Sequence, residues 1–277
     1  MKTKLWMAAL LVSGTLVAQD QPKLYNTAKQ KLLSGKQIFS VSINKADPVA
    51  YCEAAKHYDY TWFEMQHSTL TWADIEKMIA ACPNVAATPM VRIHDELESS
   101  IQHATDIGLL GIIMPTVDTV EKAQAAVRYA KYPPEGRRSM GGGQAARIWF
   151  GPGGDNTMKY RMSVNENMLV VVMIETPVGV AHTNEIANVP GVDVVLVANT
   201  DLGNFSGYFD HSAGPYQGMV KQIHDATLHA GKFLGATDPS YAKGRPDSAD
   251  FRMMQNGPSM DGWVNPARPN NGRAANP

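Results

Sequence analysis

Met168-Leu169-Val170-Val171-Val172-Met173-Ile174-Glu175 is an unbroken apolar run closed by a carboxylate. A surface helix would place polar residues every three or four positions, and a half-exposed strand would alternate; this run does neither. A short stretch that is apolar at every position suits a parallel strand covered on both faces. A second run of this kind, Val192 to Val197, follows the Pro190-Gly191 turn signal and leads into Ala198-Asn199-Thr200-Asp201.

Outward from these two runs, further strands are expected over 38–43, 60–65, 85–91, 111–114, 232–235 and 251–255. Helical stripes fall between them. Asp47-Pro48 caps a helix over 47–57, with proline in its first turn. Trp72, Ile75, Ile79 and Cys82 form one stripe, Leu97, Ile101 and Ala104 a second, and Val120, Ala123, Val127 and Ala130 a third. Tyr216, Val220, Ile223, Thr227 and Ala230 form another. No glycine-rich nucleotide turn follows the first strand, so a closed (β/α)8 TIM barrel of the α/β class is expected in place of an open sheet. Residues 132–156, with Pro133-Pro134, Gly141-Gly142-Gly143 and Gly151-Pro152-Gly153-Gly154, are expected to be one long irregular loop, and the glycine run is taken as a flexible segment.

The chain has 277 residues, 44% of them hydrophobic, and a formal net charge of −1. That suffices for a single large core, and without a basic run nucleic acid is not an expected partner. Lys2 and Lys4 followed by the apolar stretch from Leu5 to Val17 suit a signal peptide over 1–18, with Ala18 at the cut. The stretch is too short to span a bilayer, so no membrane association is expected after cleavage, and the mature protein is expected to be periplasmic or secreted. Residues 265–277 are expected to be a disordered tail. Cys52 and Cys82 both fall on helical patterns, and two buried thiols are favoured over a disulfide.

Chemistry in such barrels gathers at the carboxyl ends of the strands. Glu175 and Asp201 end consecutive strands and are therefore neighbours. Carboxylates held close repel each other unless a proton or cation lies between them, and oxygen ligands suit a hard divalent ion. The alternative is a pair of acids bound to rim lysines or loop amides. Arg92 ends the third strand, suited either to gripping an oxyanion or to a rim salt bridge. His67 follows the second strand, either as a general base or as a structural histidine, with Glu64 three residues earlier able to orient its ring. The other histidines show no ligand spacing.

Together these residues carry a resemblance. Ala46-Asp47-Pro48, Tyr58-Asp59-Tyr60-Thr61-Trp62, Gln66-His67, Pro89-Met90-Val91-Arg92, Met114-Pro115, Tyr132-Pro133-Pro134-Glu135-Gly136-Arg137-Arg138, Ile174-Glu175-Thr176 and Asp201-Leu202 occur in the order found in the HpcH/HpaI aldolase family. This family comprises metal-dependent class II pyruvate aldolases of the phosphoenolpyruvate-binding barrel superfamily. The similarity extends over residues 28–255. It implies a divalent cation (Mg²⁺, Mn²⁺ or Co²⁺) on Glu175 and Asp201, an enolate-binding Arg92, an acid–base His67 with Glu64 as its partner, and Asp106 holding a metal-bound water. The reaction implied is retro-aldol cleavage of a 4-hydroxy-2-keto acid, or a related carbonyl acid, to pyruvate and an aldehyde. A homo-oligomer is implied as well. Several positions depart from the family pattern: Met173 replaces a glutamine, Ala198-Asn199-Thr200 replaces Gly-Pro-Ala beside the substrate carboxylate, Gln66 replaces a glutamate, and Glu64 replaces an aspartate. Two alternatives stay open: a metal-dependent enzyme acting on a non-pyruvate carbonyl acid, and a non-catalytic exported binding protein with the same barrel.

Overall fold

The run at 168–174 becomes β5 (Leu169–Ile174), buried at every position. In the computed structural model, which describes residues 23–141, 143–150 and 158–266, it is one of eight parallel strands. The others are β1 (Ile38–Ile43), β2 (Tyr60–Glu64), β3 (Thr88–Arg92), β4 (Gly111–Met114), β6 (Val194–Val197), β7 (Phe233–Ala236) and β8 (Phe251–Met254). They pair in sequence order, and β8 closes on β1. The helices are α1 (Thr27–Leu33), α2 (Pro48–Ala54), α3 (Trp72–Ala81), α4 (Glu98–Asp106), α5 (Val120–Ala130), α6 (Gly143–Phe150), α7 (Met158–Asn167), α8 (Pro177–Ala181), α9 (Thr183–Ala187), α10 (Asn199–Ser206) and α11 (Gly214–His229). The chain is thus a (β/α)8 barrel. Among the described residues no helix is long and apolar enough to cross a membrane.

Strand side chains alternate between two faces, and in a closed barrel both faces are buried. The chain accordingly has two apolar clusters separated by the sheet. Ile38, Tyr60, Trp62, Met90, Ile113, Val171, Met173 and Leu196 fill the barrel axis. Val41, Phe63, Val91, Ile112, Val172, Ile174 and Val195 face outward against the helices. Helix starts follow local chemistry: Asp47 accepts from the Ala50 amide ahead of Pro48, and Thr71 and Asp74 form a reciprocal capping box.

Several expectations are corrected. Helix α1 has no counterpart in the pattern reading. Its Ala28 and Leu32 plug the amino-terminal end of the barrel interior. Asn26, fully buried, pins it there by donating to the carbonyls of Leu110 and Asn167. The expected loop at 132–156 contains α6, and α7 follows it; Asn165 on α7 exchanges hydrogen bonds with the Tyr132 backbone and fastens the segment. Strand β3 begins at Thr88, three residues later than expected, where its amide first pairs with the Asp59 carbonyl. The signal peptide expected over 1–18 lies outside the described residues, as does the tail beyond residue 266.

The two cysteines are joined in a disulfide, Cys52 on α2 to Cys82 just past α3, in place of the expected separate thiols. Helices α2 and α3 pack side by side, which brings the two Cα atoms to 5.8 Å. Sequence periodicity tells which face of each helix is apolar but not which residues on two helices meet. The bond closes a loop with a sequence separation of 30. On loop-closure grounds, Cys52→Ala/Cys82→Ala should lower the unfolding free energy by about 3 kcal/mol in a urea titration, and reductant should do the same to the parent. An unchanged midpoint in both would rule out a stabilising cross-link.

Candidate functional site

The inner cluster runs out at the carboxyl ends of the strands, and the next inward position on three of them is ionisable. Trp62 is followed two residues later by Glu64, Met90 by Arg92, and Met173 by Glu175. All three charged side chains are buried, with Glu175 only 2% exposed. Burial without a partner would be costly, so the partners define the site.

Glu64 and Arg92 are register neighbours on β2 and β3 and form a buried ion pair. Arg92 Nε lies 3.1 and 2.8 Å from the two Glu64 oxygens, and Nη2 lies 2.5 Å from Oε2. Trp62 Nε1 donates to Glu64 Oε2 at 3.1 Å, and the Arg92 guanidinium lies 5.6 Å from the Trp62 ring. Glu64 also accepts the backbone amides of Gln66 and His67 at 2.9 and 3.1 Å. The expected role of Glu64 is therefore revised. It makes no bond to the His67 ring; it anchors Arg92 and the start of the loop that carries His67. The imidazole itself is exposed at the rim. Gln66 keeps a buried Oε1 without a hydrogen-bond partner.

Glu175 presents the opposite situation. Its Oε1 accepts both the amide and the hydroxyl of Thr116, each at 2.6 Å. Its Oε2 is buried and has no partner. Burial pushes the carboxyl above the usual glutamate range and the negative charge of Asp201 adds to this, while the Thr116 bonds and Arg92 oppose it. Asp201 is half-buried in the first turn of α10, where the orphan amides of a helix start favour an anion. Among the described residues no group of three or more His, Cys, Asp or Glu converges as a closed metal cage. A pair of carboxylate oxygens, one of them orphaned, suits a hard divalent cation whose remaining positions go to water and substrate. The donor set therefore fits the group that the sequence implies.

The remaining expected residues separate. Met173 is fully buried on the axis directly below Glu175, and a thioether has no donor to offer. Asn199 is fully buried and committed to structure: its Nδ2 donates to the Tyr216 hydroxyl at 3.1 Å and its Oδ1 accepts the Asp238 amide at 3.1 Å. Thr200 is exposed. Asp106 does not join the site within one chain. As the last residue of α4 it stands at the end of the barrel where β4 begins, bound to Arg138 at 2.8 Å and to Gln102 at 2.7 Å. Gly141 and Gly143 press against it; a Cβ on Gly141 would come within 2.5 Å of Asp106 Oδ2. Close packing, rather than flexibility, accounts for these two glycines. Thr116 is the residue that sequence reasoning missed; its only signal was its place two residues after β4, on a neighbouring strand end.

The comparisons with known proteins bear on the barrel and the family. The family model described as HpcH/HpaI aldolase/citrate lyase matches residues 39–239. A hydroxypyruvate/pyruvate aldolase from Delftia acidovorans is 32% identical over 77% of this chain and 79% of its own length. A 2-keto-3-deoxy-L-rhamnonate aldolase from Klebsiella pneumoniae is 28% identical over 79% of this chain and 82% of its own. The crystal structure of an HpcH/HpaI aldolase from Desulfitobacterium hafniense superposes with a TM-score of 0.75 at 24% identity, covering 82% of this chain and 88% of that one, which supports the fold. With the barrel, the matched segment and the relatives in accord, the chain belongs to the HpcH/HpaI aldolase/citrate lyase family.

Proposed function

We propose that this chain is a class II aldolase, a divalent-metal-dependent carbon–carbon lyase that cleaves a 4-hydroxy-2-keto acid or related carbonyl acid to pyruvate and an aldehyde. The observation that carries the reading is the orphaned, buried Oε2 of Glu175 beside Asp201, on the same rim as an anchored arginine. Glu175 and Asp201 would hold the cation, and when bound it supplies Lewis-acid polarisation of the substrate's keto group. Arg92, already fixed by Glu64 and Trp62, keeps its position while negative charge develops on the substrate oxygen, so its stabilisation requires no rearrangement at that moment. His67, exposed at the rim, takes the 4-hydroxyl proton as the carbon–carbon bond breaks and the aldehyde leaves, and a proton then returns to C3 of the enolate to give pyruvate. The Thr200 and Asp201 amides in the first turn of α10, with Arg92, are donors for the substrate carboxylate; the Asn199 amide is taken by Thr237 Oγ1 at 2.9 Å.

Met173 motivates a second reading, in which the substrate is a carbonyl acid other than a pyruvate-yielding one. Purified protein assayed with Mg²⁺, Mn²⁺ or Co²⁺ against 4-hydroxy-2-keto acids should release pyruvate, and EDTA should abolish the release. Silence with every metal, and again after Met173→Gln, would overturn the pyruvate reading in favour of the second.

Glu175→Gln separates the carboxylate's cost from its use. With a raised folded pKa, Glu175 favours folding only while protonated; that contribution is complete below about pH 4.5 and is lost as pH rises through the elevated value. Without metal, the variant should therefore melt at or above the parent at pH 7.5 and together with it near pH 4. Mn²⁺ should raise the melting temperature of the parent and leave the variant unmoved. A parent indifferent to Mn²⁺ would remove the metal from the mechanism.

An exported location is supported by Lys2, Lys4 and the apolar stretch from Leu5 to Val17, and by the Cys52–Cys82 disulfide, since such bonds persist in oxidising compartments. Mass spectrometry of the mature protein should find the chain beginning near Gln19; an intact Met1 in the soluble cytoplasmic fraction would refute export. Assembly into a homo-oligomer is supported by the exposure of Phe205 and Phe209, at 55% and 76%, around the end of α10.

A further inference from the structure

The residue that fixes Glu175 lies outside every motif of the sequence. Thr116 has φ +50, in the left-handed region where a β-branched side chain is crowded by its own backbone. Glycine would occupy that conformation without strain, so threonine there requires an explanation. Its surroundings clamp it from two sides. The Val117 amide donates to the Met173 carbonyl at 3.0 Å, tying the next residue to β5 itself. Lys122 Nζ donates to the Thr116 carbonyl at 3.3 Å and pairs with Glu96 at 3.1 Å, tying the same peptide to α5. Held in this way, Thr116 aims its amide and its hydroxyl at one atom, Glu175 Oε1, each at 2.6 Å.

We propose that Thr116 is a positioning residue that selects which oxygen Glu175 presents to a divalent cation; this rests on the reading of Glu175 and Asp201 as the cation's carboxylates. A carboxylate oxygen carries two lone pairs in its plane, and the two Thr116 donors occupy both on Oε1. Oε2 is then the oxygen left open, buried and without a partner. Rotating the carboxylate to exchange the oxygens would break both bonds at once, so Glu175 offers a single, fixed donor. The strain at Thr116 is offset by charge-assisted bonds to a buried acid, a trade found at functional sites. A loop brace alone would need only the amide, which glycine also supplies; the hydroxyl is what threonine adds.

The test compares the parent with Thr116→Gly and Thr116→Ser, measuring binding of Mn²⁺ alone by electron paramagnetic resonance at pH 7.5 and the metal-free melting temperature. Thr116→Gly keeps the amide and relieves the backbone, so it should fold with a melting temperature near the parent's yet bind Mn²⁺ about tenfold more weakly, the effect of one charge-assisted hydrogen bond. Thr116→Ser, which restores the hydroxyl, should bind within about twofold of the parent. If the glycine variant does not fold, Thr116→Val, which keeps the branched shape without the hydroxyl, gives the same reading. Equal Mn²⁺ affinity in parent, glycine (or valine) and serine forms would overturn the assignment of Thr116 and leave the metal site standing. A parent that binds no Mn²⁺ would overturn the metal reading and this assignment with it.

Discussion

A strand packed inside a closed barrel has no freedom over which side chains face the axis. Once Trp62, Met90 and Met173 point inward, Glu64, Arg92 and Glu175 must follow two residues later, at the level where the apolar filling ends. The barrel interior thus sets both the stability of the fold and the convergence of its charges. The amino-terminal end is closed by α1: Ala28 and Leu32 complete the apolar filling there, Asn26 holds the plug with backbone bonds, and its charges are spent on the closure, Lys29 pairing with Asp193 and Lys31 with Asp59. The proposed site opens at the other mouth, where among the described residues no helix covers Glu64, Arg92 and Glu175 in this way.

Within that mouth the two buried carboxylates are satisfied differently, and the difference assigns their roles. Glu64 accepts from Arg92, Trp62 and two backbone amides, so its charge is balanced inside the protein. Such a pair is a poor place for a cation, and removing either partner would strand the other in a dry environment. Glu175 is satisfied at one oxygen only, with Asp201 adding like charge. An unbalanced pair of acids at a rim is stable with something positive between them. Glu64 and Glu175 end strands with the same inward phase, and only their partners show which one waits for a ligand.

The strands were legible because fully covered parallel strands leave a pattern that neither an amphipathic helix nor a surface strand can imitate. Glu175 and Asp201 were legible as the polar residues at which such runs stop. What was not legible required knowledge of neighbours across elements. Glu64 is three residues from His67 along the chain but is the register partner of Arg92, and the register wins. Cys52 and Cys82 lie on two helical stripes whose mutual rotation no single stripe records. Helix α6 lies in a stretch whose glycines and prolines read as loop, although two of those glycines serve a close approach to Asp106. Thr116 was hidden for a different reason: residue type argues against the left-handed backbone it adopts, so its conformation follows from tertiary bonds alone.

The departures from the family pattern also weigh differently once they have places in the barrel. Asn199 turns its amide away from the mouth to join Tyr216 and the Asp238 backbone, so it changes how the β6–α10 turn is held and not what a substrate meets. Thr200 is solvent-facing. Gln66 lies beside the Glu64–Arg92 pair and alters local charge without displacing either member. That leaves Met173, alone on the axis beneath Glu175, as the change that touches the floor of the proposed site. A thioether there removes a side-chain donor while the donors of Arg92 and the α10 amides remain. In the proposed reading the substrate carboxylate is then gripped by charge and main chain, while Met173, fully covered, supports Glu175 from beneath. A thioether so placed acts through packing and offers no hydrogen bond. The proposed site accordingly keeps the groups that would break a carbon–carbon bond, with one side-chain donor fewer beneath them.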